Sequence, residues 1–272
     1  MIGGSLAAAL KASGFTSDIV ALVRSESTGK RGIELGLIER YSLDPAEVIP
    51  QSDMIMLAVP MLSMRRQLQA IQPYLKPSAI VTDAGSVKGP FITDAREVLS
   101  DLSRVVPGHP VAGREKTGVD AADASLYHQR RVLLTPLAET DEAALATVSC
   151  LWELTGAQVE TLDPERHDRV LAATSHLPHV LAFALVDTLA TQQEAEEIFR
   201  YAAGGFKDFT RIASSDAIMW RDVCLCNRDA ILASMDSLDM HLKQLRQAIA
   251  DGDADTIEAT FVRARKARDE HT

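Results

Sequence analysis

The stretch MIGGSLAAALKASGF (residues 1–15) opens with two glycines, runs through an alanine-rich apolar segment and reaches a third glycine near its end. Leu6, Ala9, Leu10 and Ser13 recur at helical spacing, and Gly14 sits where a left-handed residue closes a helix. A helix entered through glycines is the setting in which a doubly wound α/β sheet meets a dinucleotide. There a G-x-G-x-x-G turn brings backbone N–H groups and the helix N-terminus to a pyrophosphate. Gly3 fits the third glycine of that turn, which permits close packing of helix on strand; Met1 and Ile2 fit the two variable positions before it, and Gly4 follows in the first turn. On this reading the first two glycines and the first strand lie upstream of residue 1, so the domain is expected to be N-terminally truncated.

Outward from this stretch, short apolar runs alternate with helix-length segments: DIVALV (18–23), DMIMLAV (53–59), AIVTDAG (79–85), RVV (104–106) and VLLTP (132–136). The alternation predicts βαβ units and a parallel sheet over 1–162. From Pro164 strand signals stop, and helices are expected at 164–190, 192–203, 216–250 and 253–269, interrupted mainly by Gly204, Gly205 and the polar run DFTRIASSD. The chain therefore reads as a dinucleotide-binding domain (1–162) followed by an all-helical domain (163–272).

The end of the second strand of such a fold reads the adenosine ribose. NAD-binding chains usually carry Asp or Glu there. Here the segment is LVRSEST, placing Arg24, Ser25, Ser27 and Thr28 at that point, and a cation flanked by hydroxyls suits a 2′-phosphate. NADP is favoured over NAD, although an arginine stacked on adenine accommodates either. Val59 and Pro60 (AVP) and Asp83 (TDAGSVKG) end strands at the carboxyl edge, where ligands of these sheets bind, and are expected to line the cofactor.

Composition narrows the partners. Lys plus Arg number 28 against 38 Asp plus Glu, a net charge of −10 spread along the chain, so nucleic acid is not an expected partner. Cys150, Cys224 and Cys226 have no disulfide spacing and fit a reducing cytoplasm. No stretch approaches about 20 uninterrupted apolar residues, so no membrane span is expected.

The loop VVPGHPVAGREKTG (105–118) holds three glycines, two prolines and a histidine between two strands, too elaborate for a connection alone. With it, the chain resembles the prephenate/arogenate dehydrogenase family of tyrosine biosynthesis over essentially its whole length. The stretches that carry the resemblance are IGGSLA (2–7), LAVP (57–60), TDAGSVK (82–88), GHPVAGREKTG (108–118), TSHLPHVLAFAL (174–185) and FKDFTRIASSDAIMW (206–220). The resemblance implies an N-terminal nucleotide-binding domain, a C-terminal helical domain that interlocks in a homodimer, and prephenate or arogenate as substrate. In that chemistry hydride leaves ring C4 for the nicotinamide while CO2 leaves C1.

The same resemblance implies roles for residues. His109 of the GHP turn matches the family's catalytic histidine, the proton acceptor at the substrate hydroxyl. Ser86 matches a serine near the same hydroxyl, although it also stands where it would cap the following helix. Lys88 is expected at a substrate carboxylate, and Arg211 at the side-chain carboxylate, with a surface ion pair to Asp208 or Asp216 as the alternative. Glu115 and Lys116 fit a position at the mouth of the site, and Arg114 is a further possible anion contact.

Ser175, His176 and His179 lie on SHLPH, with the two histidines sharing a helical face. Substrate contact is expected there rather than metal binding, because no carboxylate or thiol completes a ligand set. Trp220 is expected to wall the pocket or to belong to plain core. His128, His167, His241 and His271 have no motif around them and are expected at the surface or in packing. Other readings are another NAD(P)-dependent dehydrogenase with a helical C-terminal domain, which leaves GHPVAG and SHLPH unexplained, and an inactive remnant, which the intact His109, Ser86 and Arg211 oppose.

Overall fold

The computed structural model describes residues 1–15, 18–114 and 116–271. It comprises two compact units, Met1–Arg228 and Asp229–Thr272. In chain order the first unit contains α1 (Ile2–Ala12), β1 (Val20–Leu22), α2 (Glu26–Glu34), β2 (Arg40–Ser42), α3 (Pro45–Val48), β3 (Met54–Leu57), α4 (Met64–Ile71), β4 (Ile80–Asp83), α5 (Gly89–Val98), β5 (Val105–Val106), β6 (Gly108–Pro110), β7 (Arg131–Leu134), α6 (Glu142–Glu153) and β8 (Gln158–Thr161). Helices α7 (Pro164–Leu171), α8 (Leu177–Ala190), α9 (Ala195–Arg200), α10 (Gly204–Thr210) and α11 (Ala217–Cys226) follow. The second unit holds most of α12 (Arg228–Asp251) and all of α13 (Ala254–His271).

The strands form three ladders rather than one parallel sheet. β1 pairs with β2 and β3–β4–β5 run parallel, whereas β6 pairs antiparallel with β7, which runs parallel to β8. Three strands, RYS, GHP and QVET, are absent from the apolar runs of the sequence, because β2 and β8 carry exposed polar residues and β6 is only three residues long. The helix expected over 216–250 is broken at Asn227, and α10 forms from Gly204 where the glycine pair reads as an interruption. No strand follows Thr161 among the described residues.

β4 is buried at all four positions, as a central strand must be. Its side chains alternate between two cores: Val81 packs with Ile55, Leu57, Met64, Leu68 and Phe91, while Ile80 packs with Leu6, Leu10, Val106, Val132 and Trp152. α1 lies so close to the sheet that a Cβ added to Gly3 would come within 3.1 Å of the Ala58 Cβ, the close approach expected of a third loop glycine. The helical run Pro164–Ala190 is long and apolar enough to cross a membrane by length and composition alone, although no uninterrupted apolar stretch of that length stands in the sequence.

Candidate active site

At the carboxyl end of β4, the loop to α5 is anchored by a buried ion pair. Lys88 Nζ lies 2.5 Å from Asp83 Oδ2 and 2.5 Å from the carbonyl of Gly108, with both charged side chains fully buried. Asp83 also accepts from the N–H groups of Gly85 (2.8 Å) and Gly108 (3.1 Å). Burial pushes the Asp83 carboxyl up and the Lys88 ammonium down, while their mutual attraction opposes both shifts. These contacts correct the expectation for Lys88, whose buried ammonium does not reach out to a substrate carboxylate; the pair ties β4 to β6. A side chain at Gly108 would meet the Asp83 carbonyl at 3.0 Å, so glycine lets β6 come this close.

That tie places His109, on β6, in the protein interior. Its Nδ1 lies 2.9 Å from His167 Nε2, and His167 Nδ1 lies 2.8 Å from Asp168 Oδ1. Burial holds the His109 imidazole well below the ordinary histidine value, and the nearby charges of His167, Lys88 and His176 push the same way. His167, expected among the surface or packing histidines, is fully buried and bonded to the catalytic candidate; His128, His241 and His271 are exposed. Asp168 also accepts from the backbone N–H groups of Lys88 and Gly89, both at 2.8 Å, and so caps α5. The capping role considered for Ser86 therefore falls to Asp168, and Ser86 lies half-buried in the loop between the two anchored ends.

The helical wall is built around a π-turn at Ala172–His176, between α7 and α8. His176 Nδ1 is 3.0 Å from Asn227 Nδ2, which also donates to the Asp168 carbonyl at 2.8 Å. Burial lowers His176 to about 4. His179 donates from Nδ1 to the Ser175 carbonyl at 2.9 Å and stacks on Trp220 with ring centroids 3.6 Å apart; His176 meets the same indole edge-on at 6.0 Å. Trp220 is buried and also packs into the core around α4 and α5, as a core aromatic does. The positive charge of Arg211 adds to burial in lowering His179, which puts the guanidinium within electrostatic reach of this wall. Asn227 joins this hydrogen-bond network although no sequence motif marks it.

At the cofactor edge, Gly3 and Gly4 stand in the first turn of α1, and Val59 and Pro60 follow β3. Ser25 caps α2, accepting from the Thr28 N–H at 3.3 Å, with Arg24 exposed beside it. Arg114 pairs with Asp123 and Lys116 is exposed, while Glu115 lies outside the described residues.

The profile of the prephenate dehydrogenase nucleotide-binding domain matches residues 6–161, and that of the prephenate dehydrogenase dimerization domain matches residues 163–263. The chain belongs to the prephenate dehydrogenase family. Within that family it is 37% identical to a cyclohexadienyl dehydrogenase of Zymomonas mobilis, over 98% of this chain and 92% of that protein. A crystal structure of the prephenate dehydrogenase from Aquifex aeolicus, in complex with hydroxyphenyl propionate and NAD+, superposes with a TM-score of 0.92 at 38% identity, covering 100% of this chain and 95% of that one. The Synechocystis arogenate dehydrogenase structure gives a TM-score of 0.83 at 27% identity, covering 100% and 96%. The architecture is thus the family's: a Rossmann-like nucleotide-binding domain followed by a helical dimerisation domain.

Proposed function

We propose that this prephenate dehydrogenase family member converts prephenate to 4-hydroxyphenylpyruvate, and arogenate to tyrosine, with reduction of NAD(P). The observation that carries the reading is His109: a buried imidazole held neutral at the carboxyl edge of a nucleotide-binding sheet. A base must be unprotonated at working pH and fixed in position, and this one is both. His109 takes the proton of the ring hydroxyl as the C4–H bond breaks. The bound nicotinamide supplies the hydride acceptor. The C1–carboxylate bond then gives its electron pair to the ring, CO2 leaves, and His109 returns the proton to the phenolate oxygen, so that no net proton is released.

Ser86, in the loop pinned at Asp83 and Lys88, assists at the same hydroxyl. Arg211, with Ser175, His176, His179 and Trp220, holds the anionic end of the substrate; arginine suits this because it stays charged and binds carboxylates with a planar fork. Glu115 and Lys116 flank the mouth. His179 offers no carboxylate to an ammonium group, which favours prephenate or use of both substrates. Residues 1–162 bind the cofactor and 163–272 bind substrate and a second copy of the chain. Two observations support the cofactor site: the close approach at Gly3, which a Cβ would fill, and the capped N-terminus of α2 with Arg24, Ser25 and Thr28, a cation with hydroxyls that suits the 2′-phosphate of NADP. For the homodimer, Ala182 is the one buried residue of the apolar helix α8, leaving a surface that a second copy would cover in a cytoplasmic enzyme.

Absorbance at 340 nm, followed with prephenate or arogenate and NAD+ or NADP+, tests the reading. Substrate-dependent reduction is expected, strongest with prephenate and NADP+. Folded protein that reduces neither cofactor with either substrate would overturn it.

A further inference from the structure

Asp168 occupies an unusual position: three separate features of the site end on this one residue. Its carboxylate caps α5 through the N–H groups of Lys88 and Gly89 and meets His167 Nδ1; its backbone carbonyl meets Asn227 Nδ2. We propose that Asp168 is a positioning residue that fixes opposite proton placements on two histidines, a bare Nε2 on His109 and an N–H at Nε2 of His176. The proposal rests on the reading of His109 as the base.

The first branch follows from which atoms can donate. A carboxylate accepting two backbone N–H groups is itself an acceptor towards His167, so the proton between them belongs to His167 Nδ1. Those bonds, with that from His167, outweigh burial and keep the Asp168 carboxyl below its ordinary value. Where the ring carries only that proton, His167 presents a lone pair at Nε2, which faces His109 Nδ1 at 2.9 Å. His109 Nδ1 therefore carries its N–H into this bond, and Nε2 is left as the basic nitrogen. The reverse arrangement would set a lone pair of His167 against the carboxylate.

The second branch runs through the main chain. A backbone carbonyl only accepts, so the Asn227 atom facing Asp168 is the amide nitrogen, and its second hydrogen points to His176 Nδ1. His176 is buried and neutral, and with Nδ1 accepting it must be protonated at Nε2. That Nε2 is buried and meets no protein acceptor among the described residues. A buried donor of this kind calls for an oxygen acceptor, as a substrate carboxylate or carbonyl provides. One residue thus prepares a proton acceptor and a hydrogen-bond donor.

The test is a two-bond 1H–15N correlation spectrum of 15N-histidine-labelled protein near neutral pH, which separates the two tautomers. The expected result is His109 protonated at Nδ1 and His176 at Nε2. In Asp168→Asn, which removes the carboxylate but keeps the backbone carbonyl, His109 should lose its single tautomer while His176 keeps its proton at Nε2. In His167→Phe, which leaves the α5 cap in place and serves if Asp168→Asn fails to fold, only His109 should change. kcat should then fall roughly 100-fold or more with KM for prephenate and cofactor nearly unchanged, the pattern of a wrongly placed proton. Wild-type His109 protonated at Nε2, wild-type His176 protonated at Nδ1, or a His167→Phe enzyme within twofold of wild-type kcat would overturn the proposal. The spectrum reads proton placement without turnover. Both tautomers as stated in a protein whose His109→Asn variant keeps normal turnover would therefore uphold the placement and defeat the base assignment instead.

Discussion

The two ends of the site are built on different physical terms. Around His109 the polar groups that set its geometry are buried or, at Asp168, half-buried and find their partners within the chain: Asp83 with Lys88, Lys88 with Gly108, His109 with His167, His167 with Asp168. At the end of β1, Arg24 and Thr28 face solvent, and the hydrogen bonds of the cluster run among neighbours of the α2 cap. Buried groups in low dielectric hold one geometry and suffer when a partner is lost; exposed groups cost little to replace and alter which ligand is preferred. The chemistry of the protein should therefore be fragile in the first region and adjustable in the second.

The largest effect should come from His109→Asn. Cofactor affinity, followed by fluorescence titration with NADPH, should stay nearly unchanged, while turnover falls by roughly 10²–10⁴, the scale of lost general-base catalysis. Near-normal turnover would place the base elsewhere and remove the contrast at its centre.

Lys88→Met separates a structural lysine from a substrate contact. Removing one member of a fully buried pair leaves Asp83 charged and uncompensated, a loss of about 3–5 kcal/mol in denaturant unfolding. A variant with unchanged stability and a raised KM for prephenate would instead restore the carboxylate-binding role first expected of this lysine.

These two residues also show what a sequence discloses. His109 stands out because GHP sits in a glycine- and proline-rich loop between strands, and Gly3 because it stands at the start of an alanine-rich helical run. Lys88 is misread because a lysine in DAGSVKG has the same composition whether its ammonium turns inward or outward, and only the pairing of β4 and β6 with their neighbours decides that. His167 hides in DPERHDRV, an N-terminal helical turn of charged residues. The one signal available was its spacing from Leu171, four residues on, which puts both on the buried face of α7. Asn227 carried no signal at all, since its value lies in linking a carbonyl on α7 to the π-turn histidine.

A third expectation concerns protons. Burial and the charges of His167, Lys88 and His176 depress the His109 value, so its neutral, active form persists below the ordinary imidazole range near 6.5. The acid limb of kcat/KM should lie below that value, with activity lost only as pH falls through the depressed pKa. A limb at or above 6.5 would mean that the imidazole is better hydrated than its burial implies, and would bring this region closer to the exposed one.

The smallest effect belongs to the other side of the comparison. Arg24 is exposed beside a capped helix N-terminus, so Arg24→Ala should leave folding, prephenate KM and kcat with NAD+ almost untouched. An arginine on a 2′-phosphate in water makes a charge-assisted bond screened by solvent, worth about 1.4 kcal/mol, which is tenfold in an equilibrium constant. The expected outcome is therefore a rise of about tenfold in KM for NADP+ alone, shrinking as salt is added because the contact is exposed. Equal losses with NAD+ and NADP+ would show that Arg24 stacks on the adenine both cofactors share. The cation would then serve general nucleotide affinity, and cofactor choice would have to come from the hydroxyls of Ser25, Ser27 and Thr28.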